Sequence, residues 1–473
     1  MNIILAARIK VTKISQYKIR VNYFANFAMR NYEKIISIIK DNNFDRGGFH
    51  GSGVVGLKPF VDNKVPDEFK LLYTQQELKK FTQLRGTPRD IEERMKVKIS
   101  DHYLKLVQRS EHLKNLIKAR SEETEDLSGD LDPSNQNRYS PIPGLLHKYE
   151  MVLLYTSGTC SSHCRYCYRL DLFTKKTGKQ LAKINEVKDY IVNYNRKVKA
   201  CQGTDPESGK PIYFIKEALL SGGDPMALSN KRLARFMFGL AEAGITTLRI
   251  GTKELAFFPA RFDDNFFDML DLFNKTYPHV RVVFVVHFTH PAEFLEMDNE
   301  QNYLPSNLNS FTFDWMKETL NPVLKLKKRA HFISLENQTP IIWKVNDDSA
   351  TLNMMQKELY NKGIGNHYFF QCRNIQGKKE FALPLEETWK IFSLSQKGLS
   401  GIEKHARFVM STEQGKIEVI SVTDGKIIFR IHRDPYDIRP EENIIICKSN
   451  PNAFWITDYK GHIIYDPSSI LQS

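Results

Sequence analysis

No apolar run in this chain of 473 residues approaches the roughly 20 residues that cross a bilayer. The longest, VRVVFVVHF at 280–288, has the length of a buried strand. A secretory pattern is missing too, because the early apolar run IILAA is too short for a signal-peptide core. Cysteine is scarce, with six in all, and without a secretory signal that scarcity points to a reducing compartment. These absences predict a soluble, cytoplasmic protein. Acidic residues are missing before Glu33, whereas Arg8, Lys10, Lys13, Lys18, Arg20 and Arg30 precede it. The segment formally resembles an organellar transit sequence. A start placed upstream of a working Met29 is the simpler account, so residues 1–28 are set aside as a basic extension.

The net charge is +13 and the pI is near 9.2, which raises nucleic acid as a partner. The basic residues are dispersed, however, and EETEDLSGDLD at 122–132 interrupts them. The densest group, Lys325 to Arg329, falls at the end of a predicted helix, where cations suit the dipole. Diffuse basicity of this kind fits a solvated surface or an acidic substrate better than nucleic acid.

Residues 29–149 begin with charged stretches of helical spacing, such as DIEERMKVKISDHYLKLVQ. They predict an N-terminal helical region. The acidic Ser/Asn/Pro-rich stretch 121–143 has little to bury and is expected to be a linker. From 150 to 375 six apolar runs alternate with five amphipathic stretches. The runs are MVLLYTSG, EALLSGG, ITTLRIGT, VRVVFVVHF, HFISLEN and HYFFQC. This alternation predicts an α/β fold, a parallel sheet or partial (β/α)6 barrel, with its chemistry at the C-terminal strand ends. After 376, VISVTDGKIIFRIH and FWITDYKGHIIYD each place a D-G or K-G turn between β-rich runs. They predict hairpins in a C-terminal β-rich appendage, 376–473, with a small sheet of its own. No repeats are visible beyond the βα units.

Against this background YTSGTCSSHCRYCYR, 155–169, stands out. Cys160, Cys164 and Cys167 occupy one loop after the first strand. Zinc wants four ligands, normally as two separated pairs, and no second pair follows. Cys201, Cys372 and Cys447 are isolated and read as buried thiols. Three thiolates suit a [4Fe–4S] cluster with one iron left open. His287 and His290, in HFTH, would face opposite sides of a strand and so not share a metal.

CxxxCxYC resembles the signature of the radical S-adenosylmethionine (SAM) superfamily. The resemblance implies that the three cysteines hold the cluster, that SAM fills the open iron and that Tyr166 lies near the adenine. SGGDP (Ser221, Gly222, Gly223 and Asp224) resembles that superfamily's second-strand motif, which holds the SAM amino group. His287 and Gln338 would line the pocket near SAM.

The similarity narrows to the lysine 2,3-aminomutase family. SPIPGLLHKYEMVLLYTSGTC, LLSGGDP, LRIGTKELAFFPARF, VVHFTHPAE, LENQTPIIWKVNDD, HYFFQCR and the CYR of the cysteine loop keep that family's order over about residues 85–420. The resemblance implies a radical SAM barrel and an amino-acid substrate. In that family the cluster reduces SAM to a 5′-deoxyadenosyl radical, which takes a hydrogen from the substrate β-carbon, and the α-amino group, carried by pyridoxal 5′-phosphate (PLP), migrates from α- to β-carbon; the resemblance implies the same here. Arg169 would bind the substrate carboxylate, and RFVMSTEQGKIEV nominates Lys416 to attach PLP. An electron donor such as flavodoxin or ferredoxin is implied, and a homo-oligomer stays open.

The sequence also departs from that pattern. Where lysine-specific members place two aspartates for the substrate ammonium, this chain has Arg373 and Ser411. A cation and a hydroxyl reverse the preference of a buried pocket, so an acidic amino acid such as glutamate is expected. Before the first strand, HKYEMV offers Lys148 and Met151 where the family tends to use an arginine for the PLP phosphate, which nominates Lys148. The family's C-terminal zinc cysteines have no counterpart here, and zinc is not expected. Two alternatives remain from the residues alone: a radical SAM enzyme without PLP acting on protein or RNA, and a zinc-type nucleic-acid-binding protein.

Overall fold

The computed structural model describes residues 98–118, 128–169, 181–435 and 437–472, apart from 133 and 308, together with positions 54–56, 123 and 126. The extension 1–28 and most of the expected N-terminal helical region lie outside them. Strand β1 (Val54–Gly56) pairs antiparallel with β2 (Lys98–Ser100). Helices α1 (Asp101–Arg109) and α2 (Glu111–Ile117) follow, where helical spacing predicted them. The Ser100 and Ser110 hydroxyls accept from Tyr103 N and Leu113 N and cap the two helices.

Strand β3 (Leu145–His147) turns back into β4 (Met151–Ser157). Then come β5 (Glu217–Gly222), β6 (Thr247–Thr252), β7 (Arg281–Val286), β8 (Ile333–Ile341) and β9 (Gly365–Gln371), all parallel neighbours of β4 in this order. These are the six expected strands. Helix α3 (Ile184–Ala200) follows β4 and α4 (Asn230–Glu242) follows β5. Helices α5 (Glu254–Phe257) and α6 (Asp264–Thr276) follow β6, α7 (Lys317–Lys327) follows β7, α8 (Ser349–Asn361) follows β8 and α9 (Leu385–Ser395) follows β9. The side chains of Ser229, Asp263 and Asp348 cap α4, α6 and α8.

The two-residue period of the strands sorts their side chains. Ala218, Leu220, Leu248 and Ile250 are buried in the hydrophobic core. The alternate positions Leu219, Ser221, Arg249 and Gly251 line a cavity on the other face.

Beyond β9 the sheet departs from expectation. Strand β10 (Arg407–Thr412) is parallel to β9 and makes a seventh parallel strand. Strands β11 (Gly415–Thr423), β12 (Lys426–Arg433), β13 (Ile444–Lys448) and β14 (Ile463–Tyr465) continue antiparallel. The C-terminal region therefore has no sheet of its own, and β3 to β14 form one twelve-stranded sheet. Its inward residues Phe408, Met410, Ile417 and Phe429 belong to the same core as the parallel strands, which joins the two regions. The Asp424-Gly425 hairpin is present, with both residues at positive φ (47° and 67°). The second expected hairpin is replaced by a 3₁₀ turn, Ile456–His462. Burial of Trp455, Ile456 and Tyr459 and the bond from the Tyr459 hydroxyl to Glu386 (3.0 Å) outweigh the Lys460-Gly461 turn preference.

The first and seventh parallel strands are six places apart, about 29 Å in a flat sheet at ~4.8 Å per strand. Yet Lys148, just before β4, donates to the carbonyls of Thr412 and Glu413 after β10, at 2.8 and 2.7 Å. The sheet therefore curls until these ends meet, and the inner face becomes the wall of the cavity.

Candidate active site

The cavity, about 350 Å³, opens at the C-terminal ends of the parallel strands. All residues nominated from the sequence line it: the three cysteines, Tyr166, the SGGD residues, His287 and Gln338. So do Lys148, Arg169, Arg373, Ser411 and Lys416.

The cysteine loop is tied down from several sides. Lys98 donates to Thr159 Oγ1 (3.0 Å) and to Cys160 O (2.5 Å). Ser161 N donates to Glu254 Oε1 (2.9 Å), and the Ser161 hydroxyl donates to the other oxygen of that carboxylate. His163 N and Arg165 N donate to Lys98 O and Leu116 O, both at 2.9 Å. The two glycines after β5 are required by this loop. Gly222 sits at φ +113°, and a Cβ on Gly223 would fall 2.4 Å from the Thr159 carbonyl.

None of the three thiols is in a disulfide, and burial pushes those of Cys160 and Cys164 up, the latter to about 12. Among the described residues no three His, Cys, Asp or Glu side chains are grouped to hold a single metal ion. Three thiols shared among separate irons need no such grouping, so the donor set fits a four-iron cluster. Cys372 also lines the cavity, but its thiol donates to Ile341 O (3.3 Å).

Beside the thiols, the Tyr166 hydroxyl is hydrogen-bonded to His287 Nε2 (2.8 Å). Burial, with Lys253 nearby, holds His287 well below the usual imidazole range, so it is neutral. His290 does not join it. It lies buried, stacked on His112 at 4.7 Å, with burial pushing it down to about 3. Asp224 accepts from Met226 N, Thr252 Oγ1 and Lys253 N at 2.9, 3.0 and 2.7 Å. Burial raises it to about 6 against the pull of those bonds. In this state Asp224 fastens the ends of β5 and β6 to each other.

On the opposite side Tyr168 lies between two guanidinium groups. Its ring is 4.8 Å from Arg169 and 4.0 Å from Arg373. Arg169 is buried, donates through Nε to the Tyr168 hydroxyl (2.9 Å), and has Nη1 left without a partner. Such a donor is costly unless a ligand satisfies it. Arg373 donates to Ser134 Oγ (2.9 Å) and makes no ion pair among the described residues. Ser411 is cross-strand from Lys416.

The Lys416 amino group lies 4.0 Å from the Tyr368 ring centroid and 5.5 Å from that of Phe370. It has no carboxylate partner among the described residues. Burial first, and then Arg249, Arg433 and Arg373, hold it well below the usual lysine range. A neutral amine on an aromatic shelf is a nucleophile suited to a carbonyl, so the site fits PLP.

Charge is unevenly distributed in the cavity. Its one lining carboxylate is Asp224, whereas Lys148, Arg169, Arg373 and Lys416 line it without a carboxylate partner among the described residues. Sequence reasoning missed several supports. Glu123, in the expected linker, is buried and accepts from Arg165 Nε (2.9 Å) and Nη2 (2.7 Å) in a two-bond fork, and from Lys378. Ser134 and Gln136 of the same stretch line the cavity, so the linker is in fact part of its wall. Lys253 was placed correctly after the third strand. Its burial against Glu293 (2.7 Å), Thr289 (2.7 Å) and His287 O (2.8 Å) had no sequence signal, because the partners are 34 to 40 residues away.

No family model matches the chain. Among curated proteins it is 33% identical over 353 residues to a protein of Aquifex aeolicus that carries the L-lysine 2,3-aminomutase name, covering 73% of this chain and 83% of that one. It is 25% identical to the L-lysine 2,3-aminomutase of Methanococcus maripaludis, over 53% of this chain and 48% of that one. It is 24% identical to the glutamate 2,3-aminomutase of Clostridioides difficile, over 64% and 62% respectively.

Proposed function

The chain belongs to the lysine 2,3-aminomutase family of radical SAM enzymes, and on that premise we propose that it moves the α-amino group of an acidic amino acid to the β-carbon. The observation that carries this reading is that three thiols outside any disulfide line one cavity with Lys416, a buried amine that has no carboxylate partner among the described residues. When bound, the cluster and SAM supply the radical that starts the reaction, and PLP carries the migrating amino group.

Cys160, Cys164 and Cys167 hold the cluster, with Glu254 and Lys98 fixing the loop. Tyr166, His287, Gln338 and the backbone of Ser221 to Gly223 border the SAM side, and Asp224 keeps two strand ends in place there. Lys416 attaches PLP and needs to shed no proton to do so. Lys148 braces the turn that carries Lys416. Arg169 takes the substrate α-carboxylate with its free Nη1. The enclosing sheet keeps water from the reacting centre.

Arg373 and Ser411 select the side chain. A substrate ammonium about 4 Å from Arg373 would be disfavoured by about 4 kcal/mol at an effective dielectric near 20, while a carboxylate would be favoured. The cluster would need an external electron donor such as flavodoxin or ferredoxin. Anaerobic reconstitution followed by an amino-acid screen tests the reading. Iron, sulfide and a PLP absorbance band, with SAM-dependent conversion of glutamate or aspartate to the β-amino acid, are expected. Efficient turnover of lysine alone would overturn the substrate assignment. A cluster without PLP, unchanged in Lys416→Ala, would overturn the reaction.

A further inference from the structure

Resting on the reading that PLP attaches at Lys416, we propose that Arg433 anchors the cofactor's phosphate. PLP carries its aldehyde and its phosphate arm on adjacent ring carbons, so the phosphate must lie close to the lysine nitrogen. Arg433, the last residue of β12, is the cross-strand partner of Lys416 and lines the same cavity. The register shifts between this pair and Ile417–Ile431, and it is their common place in the cavity wall that brings the two side chains together.

The side chain is held in place while much of its donor capacity stays free. It stacks on Tyr149 at 4.3 Å, and Nη2 pairs with Glu150, whose own side chain is 56% exposed. Nη1 has only the Met151 sulfur, at 3.9 Å, and a thioether is a weak acceptor. A guanidinium presents five N–H donors in a planar fork that matches phosphate oxygens. Arg433 therefore reaches across to Met151, the first residue of the first parallel strand.

The other cations near Lys416 have partners of their own. Arg249 pairs with Glu217 at 2.9 Å. Arg373 is bound to Ser134 and stacked on Tyr168. Lys148 spends two of its three donors on the carbonyls of Thr412 and Glu413. The turn bearing Lys416 is also locked to Arg433: Gly415 has φ +131°, and a Cβ there would meet the Arg433 carbonyl at 2.1 Å. Lysine and arginine thus move as one unit.

Absorbance titration of the apoprotein with PLP and with pyridoxal, which lacks the phosphate, tests the assignment without reference to activity. The wild type is expected to prefer PLP strongly. In Arg433→Met that preference should fall by about 10- to 100-fold, the range for a charge-assisted bond, with pyridoxal binding unchanged. Arg433→Lys should lie between the two, and Arg249→Met should keep the preference. An unchanged ratio in Arg433→Met, or a ratio lost in Arg249→Met, overturns the proposal. Should Arg433→Met fail to fold, Glu150→Gln keeps the arginine and frees its fork. PLP binding that holds or tightens supports the anchor, and binding that weakens overturns it. Failure of the PLP reading itself looks different: wild type and Lys416→Ala would then bind both aldehydes alike, and the anchor would fall with it.

Discussion

A lysine facing arginines is useful only if it is neutral, and the environment of Lys416 makes it so. An ordinary lysine gains tenfold in free amine per pH unit below its pKa near 10.4. Lys416 is held well below that, so its rate of PLP capture should rise by clearly less than tenfold per unit between pH 7 and pH 9. Stopped-flow absorbance measures it, and a tenfold rise per unit would show the amine to be charged. Arg169 contributes through its partnerless Nη1. Arg169→Met should raise KM for the amino acid by about 10- to 100-fold, as for the loss of a charged hydrogen bond, and leave the cluster absorbance intact. At Arg373 the expected outcome is a change of preference: Arg373→Asp should weaken glutamate turnover and admit lysine, read as the ratio of kcat/KM values.

Elements in this structure are joined by charges that sequence position hides. Glu123, Arg165 and Lys378 are all buried, and together they bind the expected linker to the cysteine loop and to the loop after β9. Burial alone would raise the Glu123 carboxyl, but Arg165 and Lys378 overcome it and hold it at about 2. Its folded value therefore lies below its unfolded one near 4.5. The stabilisation is present above pH 4.5 and is lost as pH falls toward 2. Glu123→Ala takes a buried carboxylate away from Arg165 and Lys378 and should cost about 3–5 kcal/mol at pH 7, measured by urea unfolding, with the cost shrinking as pH falls below 4.5. Lys148 joins the β3–β4 connection to the turn after β10. Lys148→Ala should speed hydrogen exchange in residues 413–417 while leaving β4 to β9 protected.

At the scale of the whole molecule, the twelve-stranded sheet makes the C-terminal fifth, residues 376–473, inseparable from the parallel-stranded core. Truncation at residue 404 would remove β10 and expose the edge of β9, together with the core around Phe369 and Phe392. It should abolish cooperative thermal unfolding rather than leave a stable βα core, which calorimetry would show. Much of this architecture was legible in the sequence. The six parallel strands and their helices follow from alternating apolar runs and amphipathic stretches, which are local patterns with a physical period. The cysteine loop was legible because its three thiols lie within eight residues. The seventh parallel strand was not, since RFVMST differs little from a hairpin strand until its neighbour is known. The Glu123 triad was not either, because an acidic run in water and an acid buried between two cations look the same when written out. The sequence by itself determined the family, the six βα strands and the crowding of three thiols on one loop, all of which depend on near neighbours. Only the tertiary structure decided which charges are paired, that Lys416 is neutral and that Arg433 stands beside it. Those outcomes depend on burial and on side-chain contacts that leave no local pattern, whether the partners are 17 residues apart, as Lys416 and Arg433 are, or 255, as Glu123 and Lys378 are.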